Sequence, residues 1–102
     1  AGALWTADDR PWAVDTHWRG VRDLRWDATV EWKEIREVAE ADRWLDLLIT
    51  DAAARRLGRT VPPETLVRSA GTTPSVAYRL PLRESAPLAG VVRDQLATAL
   101  AA

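Results

Sequence analysis

The residues that could do acid–base or metal chemistry are few and scattered in this chain. His17 is the only histidine and there is no cysteine, so thiolate catalysis, disulfides and cysteine-based zinc sites are excluded. Asp15 stands close to His17 without any metal-ligand spacing, and the adjacent Asp8 and Asp9 are typical of a turn. No catalytic residue, metal site or cofactor is therefore predicted, although a carboxylate pair assembled by the fold would leave no trace in the sequence.

The two halves of the chain differ in net charge. Residues 1–54 contain 12 acidic and seven basic side chains, whereas residues 55–102 contain three acidic and seven basic ones, which gives net charges of −5 and +4. All but one of the 14 basic residues are arginines, whose guanidinium groups suit carboxylate or phosphate forks and stacking on indole. The basic half could face nucleic acid, the acidic half of a neighbouring subunit, or its own acidic half.

Residues 64–80 have the pattern of a helix-turn-helix unit. Glu64–Ala70 is predicted to be a short helix, Gly71 supplies a tight turn, and a second helix capped by Thr73 would follow, unless Ser75–Leu80 is a strand. The run 70–79 resembles the core of TetR-type DNA-binding units, which implies contacts of its polar residues with phosphates or base edges. With the nearby arginines, the DNA-contact candidates are Arg68, Thr73, Ser75, Tyr78, Arg79 and Arg83. The alternative is an ordinary helical turn with Tyr78 in the core.

A second resemblance covers residues 18–54. The runs Arg19-Gly20-Val21-Arg22, Glu34-Ile35-Arg36 and Arg43-Trp44-Leu45, together with Trp26, resemble the ethylene-response-factor type of DNA-binding domain. The resemblance implies a three-stranded sheet packed on one helix, with the sheet in the major groove. The contacts that it implies are Arg19, Arg22, Trp26, Arg36 and Trp44.

The elements that would position these residues begin with three strands. The segment Leu24–Lys33 alternates apolar and polar residues throughout, which indicates a half-buried strand. Leu4–Thr6 and Trp12–Trp18 are predicted to precede it in an antiparallel meander. The spacing from Trp12 to Trp18 equals that from Trp26 to Trp32, which favours a tryptophan-lined sheet face.

At Glu34 the spacing of apolar residues changes from the alternation of a strand to the period of a helix. Apolar residues recur every three or four positions from Ile35 to Ala52, and no glycine or proline interrupts before Gly58. A helix over residues 34–57, either continuous or broken near Thr50, is therefore predicted to cover the indoles. A closing amphipathic helix over 88–100 is predicted at the end of the chain.

These elements predict one α+β domain: a three-stranded antiparallel β-meander packed on a long helix, followed by short C-terminal helices. Its parts are the Trp-rich meander (1–33), the helix (34–58) and a basic helical region (59–102). The first functional hypothesis is a small, non-catalytic DNA-binding or DNA-associated protein of bacterial or phage type, with duplex DNA as partner.

The alternative is a protein–protein interaction or assembly subunit that binds a second copy or another protein. Trp5 and Trp44 are its interface candidates, because they lie outside the paired tryptophan spacing. No apolar run approaches the roughly 18 residues of a membrane span, and no signal-peptide pattern is present, so the cytoplasm is the expected location.

Overall fold

Most of the secondary structure of this chain is β. A computed structural model describes residues 4–6, 13–40, 43–69, 75–81 and 86–101. The first antiparallel sheet has the strand order β1-β2-β3-β4, formed by Leu4–Thr6, Ala13–Thr16, Gly20–Asp23 and Ala28–Glu31. The second has the order β5-β6-β8-β7, where β5 is Ile35–Glu40, β6 is Trp44–Ile49, β7 is Leu66–Ser69 and β8 is Ser75–Pro81. The two α-helices within these ranges are α1, Asp51–Leu57, and α2, Ala86–Ala101.

Valines on three neighbouring strands form the core-facing side of the first sheet. Val14, Val21 and Val30 are each at most 1% exposed, and their strands pair through Thr16↔Val21 and Val21↔Val30. Gly20 allows β3 and β4 to approach, because a Cβ built there would lie 2.7 Å from the Glu31 Cα. Leu4–Thr6 is a strand as predicted, and the first sheet is an antiparallel meander. A strand that was not predicted, β3, lies between β2 and β4, so the two strands expected to pair directly do not.

The predicted third strand, Leu24–Lys33, is wrong in its first half. Residues 24–27 form a turn, in which Asp27 takes the left-handed conformation with φ of 50°. The Asp23 carboxylate accepts a hydrogen bond from the Arg25 backbone N–H at 3.1 Å, which is typical of a turn begun by an aspartate. Only Ala28–Glu31 is a strand, and there Ala28 and Val30 do face the core.

The predicted tryptophan-lined sheet face is also wrong. Trp18 lies in the β2–β3 turn and is 84% exposed, Trp26 lies in the next turn, and Trp32 begins a 3₁₀ helix, Trp32–Glu34. Trp26 and Trp32 pack against the edge of the core. Trp12 lies outside the described residues. The described members of the paired spacing, Trp18, Trp26 and Trp32, therefore lie in turns and a 3₁₀ helix and not on one sheet face.

The predicted long helix over residues 34–57 is replaced by β5, β6 and α1. Leu45, Leu47 and Ile49 lie at alternate positions of β6 and are at most 1% exposed. The buried residues therefore repeat with the two-residue period of a strand. Ile35 and Val38 are buried on β5 beside them. The helix begins only at Thr50, whose side-chain hydroxyl accepts a hydrogen bond from Ala53 N at 3.2 Å.

One core lies between the sheets and the two helices. Ala53 and Leu57 of α1 join it, as do Leu88, Ala89 and Val92 of α2. The predicted helix over 64–70 is wrong as well, because a short 3₁₀ helix, Pro63–Thr65, leads directly into β7. The predicted α+β arrangement of a three-stranded meander on a long helix is thus overturned: two sheets enclose the core, and the closing helix is the only long one in the described ranges.

No helix in the described part of the chain is long and apolar enough to cross a membrane.

Candidate functional site

The second sheet has one face turned away from the core, which we call the outer face. Both helices contribute to the core on the other side, together with Leu45, Leu47 and Tyr78. The outer face is defined by the alternate residues of β6 and β8, paired across the strands as Trp44↔Pro81, Asp46↔Arg79 and Leu48↔Ala77.

Trp44, Asp46 and Arg79 form one interacting group on this face. The Arg79 guanidinium donates to both carboxylate oxygens of Asp46, at 2.8 Å from Nε and 2.9 Å from Nη2. The guanidinium carbon lies 4.4 Å from the centroid of the Trp44 ring, a cation–π distance. The indole remains 39% exposed. An accessible tryptophan is therefore held against an arginine whose orientation is fixed by a fork of hydrogen bonds.

The fork also fixes the charge of the arginine. The hydrogen bond to Asp46 raises the pKa of Arg79 above its ordinary value, so the guanidinium keeps its proton. Its positive charge is balanced by the Asp46 carboxylate within the group. The Trp44 group therefore presents an aromatic ring beside a neutralised ion pair.

A second group of the same residue types lies buried between the sheets. Asp23 on β3 is 1% exposed and Tyr78 on β8 is fully buried, and the Tyr78 hydroxyl donates to Asp23 Oδ2 at 2.7 Å. Arg25 donates to the same carboxylate from Nε at 3.2 Å and Nη2 at 3.0 Å. The carboxylate is thereby compensated by a cation and by several hydrogen bonds, as a buried charge requires.

Tyr78 is held in its protonated form by this environment. Burial raises the pKa of its hydroxyl above the ordinary value, and the negative charge of Asp23 raises that pKa further. A buried, protonated phenol is a hydrogen-bond donor in the core. It connects the two sheets and is not available to an external ligand.

The charge asymmetry between the two halves of the chain is partly satisfied within the fold. Three arginines of the second half pair with carboxylates of the first half: Arg56 with Glu34, Arg79 with Asp46, and Arg93 with Glu40. Apart from these three, the exposed arginines in the described part of the second half lie within residues 55–68.

The predicted DNA contacts do not come together as one surface. Tyr78 is buried, which makes it inaccessible to a base or phosphate, and Arg79 is committed to Asp46. Residues 66–69 and 75–81 are adjacent strands, so the two helices of the expected DNA-binding unit are absent from these ranges. Arg68 is exposed on β7 and Ser75 is half-buried at the start of β8. Thr73 and Arg83 lie outside the described residues.

The contacts implied by the second resemblance are dispersed as well. Arg22 on β3 is bound to Asp27 at 2.8 Å, and Arg36 lies on β5 of the other sheet. Trp26 is partly buried in a turn, whereas Arg19 lies beside Trp18 in the preceding turn. No single strand or face carries the set.

Of the two interface candidates, Trp44 is exposed as predicted. Trp5 lies on β1 and its side chain is outside what the structure describes. Trp18, the most exposed of the tryptophans whose side chains the structure describes, was missed. The sequence signal for its exposure was the neighbouring Gly20, which indicates a turn and not a strand interior.

His17 stands at the start of the β2–β3 turn without an acid or base partner among the described residues. Its Nδ1 accepts from the Arg19 backbone N–H at 3.4 Å, and its Nε2 is buried without a hydrogen-bond partner in that part of the chain. No group of three or more potential metal-ligating side chains occurs within the described ranges.

Comparisons with family models, curated proteins and solved structures give no match for this chain.

Proposed function

We propose that this protein works by binding another protein at the outer face of its second sheet, with Trp44 as the central contact. The observation that carries the proposal is the exposed indole, stacked on an arginine that Asp46 holds in place. Tryptophan and arginine are the residue types that most often dominate protein–protein contacts. An anchor that is oriented before binding loses less conformational freedom when the partner arrives.

The surroundings of Trp44 favour a partner surface that is apolar and weakly charged. Leu48 and Pro81 are half-buried on the same face, and Ala77 lies between Leu48 and Val67 of the edge strand. The Asp46–Arg79 pair brings hydrogen-bonding capacity to this surface without net charge. An aromatic and aliphatic centre beside a satisfied polar pair is the usual composition of a protein-binding patch.

Photo-crosslinking from the outer face tests the proposal directly. The crosslinking amino acid benzoylphenylalanine is placed at Ala39, which is exposed on β5 and pairs with Asp46, so it borders the Trp44 group. The matched control carries the same amino acid at Ala52, which is exposed on α1. A discrete product from position 39, absent from position 52 and lost on Trp44→Ala, is expected. A product of twice the chain's mass would identify a second copy as the partner.

Equal products from positions 39 and 52 would contradict the proposal, as would a product from position 39 that survives Trp44→Ala. Circular dichroism of each variant confirms that the fold is retained. Because Trp44 is a surface residue, its replacement is expected to leave the spectrum unchanged.

A further inference from the structure

Three edge strands, β4, β5 and β7, differ in how well they are protected against further pairing. On the edge strand β4, Arg56 Nη2 donates to the Thr29 carbonyl at 3.1 Å. The edge strand β5 is flanked by α2, its pairing is irregular between Ile35 and Glu37, and its Glu40 is bound by Arg93. Side-chain caps, irregular pairing and covering helices are the usual ways in which a protein blocks an edge against further pairing.

β7 is regular, and no side chain of the described residues caps its backbone. Its four residues pair in continuous register with β8, from Leu66↔Tyr78 to Ser69↔Ser75. No described element pairs with its other side. Alternate backbone N–H and C=O groups of an edge strand point away from the sheet, where they can pair with an additional strand.

Positive charge without a carboxylate partner among the described residues occurs beside this edge. Arg55, Arg59 and Arg68 are exposed, and none of their guanidinium groups has an ion-pair or hydrogen-bond partner within the described ranges. A Cβ built on Gly58, at the end of α1, would lie 3.7 Å from Leu66 Cδ1, which places the arginine-bearing end of α1 against β7. Two carboxylates, Asp51 and Glu64, occur in the same stretch, which leaves it net positive.

From these two independent observations we infer that β7 is a docking edge for an extended, acidic peptide segment of a partner protein, which adds as a fifth strand to the second sheet. Main-chain hydrogen bonds to β7 would supply affinity, and carboxylates of the peptide would meet the arginines of α1 and β7. Apolar residues at alternate positions of the peptide would continue the row formed by Leu48, Ala77 and Val67. This edge is separate from the Trp44 group, so the inference goes beyond the proposed function.

Binding of a designed probe tests the inference. The probe is a short fluorescent peptide in which valine and glutamate alternate, and its anisotropy is measured against the intact chain at low and high salt. Saturable binding that weakens with salt is expected. The triple variant Arg55→Gln, Arg59→Gln and Arg68→Gln should bind about tenfold more weakly or worse. The matched control is Arg36→Gln, an exposed arginine on the opposite edge strand, which should bind as the unchanged chain does.

N-methylation of the probe separates strand addition from simple charge attraction. Two versions carry methyl groups on the backbone nitrogens of alternate residues, one on the odd positions and one on the even positions. In an added strand only one set of N–H groups faces β7, so one version should lose binding and the other should retain it. Trp44→Ala should leave binding unchanged, which keeps this result independent of the proposed function.

Several outcomes would overturn the inference. They are no binding at low salt, equal binding by both methylated probes, or an equal loss in the Arg36→Gln control. Duplex DNA is included as a competitor. If DNA binds through the same three arginines while the peptide does not, the patch is a nucleic-acid surface instead.

Discussion

The chain contains two groups built from the same parts, an aspartate, an arginine and an aromatic ring, in opposite surroundings. Asp23, Arg25 and Tyr78 lie between the sheets, where Asp23 is 1% exposed. Asp46, Arg79 and Trp44 lie on the outer face, where the indole is 39% exposed. In both groups the arginine makes a two-point contact with the carboxylate. The two groups differ in their exposure to solvent.

That difference assigns separate roles to similar geometry. In the core, every member of the group must be satisfied, because removal of one partner leaves a charge buried without compensation. On the outer face, where the side chains of Asp46 and Arg79 are 16% and 34% exposed, water can replace part of a lost contact. The same contacts therefore add less to stability and can serve to orient a side chain for recognition. We therefore expect the buried group to govern folding and the outer group to govern binding.

The largest effect is expected from Asp23→Ala. It leaves Arg25 without its fork and the Tyr78 hydroxyl without its acceptor, and should lower the free energy of unfolding by about 3–5 kcal/mol. The matched variant Asp46→Ala should cost at most about 1 kcal/mol. Urea denaturation of both variants measures the contrast. Similar losses of unfolding free energy in the two variants would show that burial does not give the two groups different roles. Asp23→Asn provides a milder change if Asp23→Ala does not fold.

The second-largest effect is expected from the buried group in an alkaline titration. The raised pKa of Tyr78 means that the folded state keeps the phenol proton to a higher pH than the unfolded state, in which tyrosine ionises near about pH 10. Stability from this group is complete below about pH 10 and falls above it, by about 1.4 kcal/mol per pH unit. Since Tyr78 is the only tyrosine, tyrosinate absorbance reports it directly.

Tyr78→Phe is the control for this titration. The variant should lack the alkaline loss of stability attributed to the phenol, although it is less stable at neutral pH because one oxygen of Asp23 loses a donor. Tyrosinate absorbance that rises near about pH 10 in the folded protein would contradict the assignment of Tyr78 as a buried, protonated donor.

The smallest effect on stability is expected from Arg79→Lys. A lysine keeps the charge but can neither fork on Asp46 nor stack flat on Trp44, so the indole loses its support. The free energy of unfolding should change by less than about 1 kcal/mol, while photo-crosslinking from position 39 should fall. Thermal denaturation supplies the first measurement. A loss comparable to that of Asp23→Ala would make the outer group structural.

Local alternation was the part of the fold that the sequence could predict. Val14 and Thr16 on β2, and Ala28 and Val30 on β4, face the core as their parity indicates. The helix over 34–57 was wrong because Ile35, Val38, Leu45 and Leu48 keep a helical spacing across a hairpin, although Leu48 faces outwards. Two strands joined by a short turn can reproduce a helical period by coincidence, and only the pairing partners distinguish the two structures.

The candidate site was partly visible in the sequence. Trp44 could be proposed as an anchor because it stood outside the paired tryptophan spacing, and the structure shows it exposed. Its supports could not be found, because Asp46 and Arg79 are 33 residues apart and meet only when β6 pairs with β8. Tyr78 and Asp23, 55 residues apart, meet only when the two sheets close on each other.

Gly20 has a consequence that reaches the buried aspartate. Its missing side chain is what lets β3 lie against Val30 and Glu31 of β4. If β3 slipped by one residue, Arg19 or Val21 would be forced into this narrow space, and Arg22 would turn towards the core in place of Val21 and Asp23. The absence of a side chain at position 20 thus excludes the register shifted by one residue. It also excludes a fold in which Arg22 would be buried in place of Asp23.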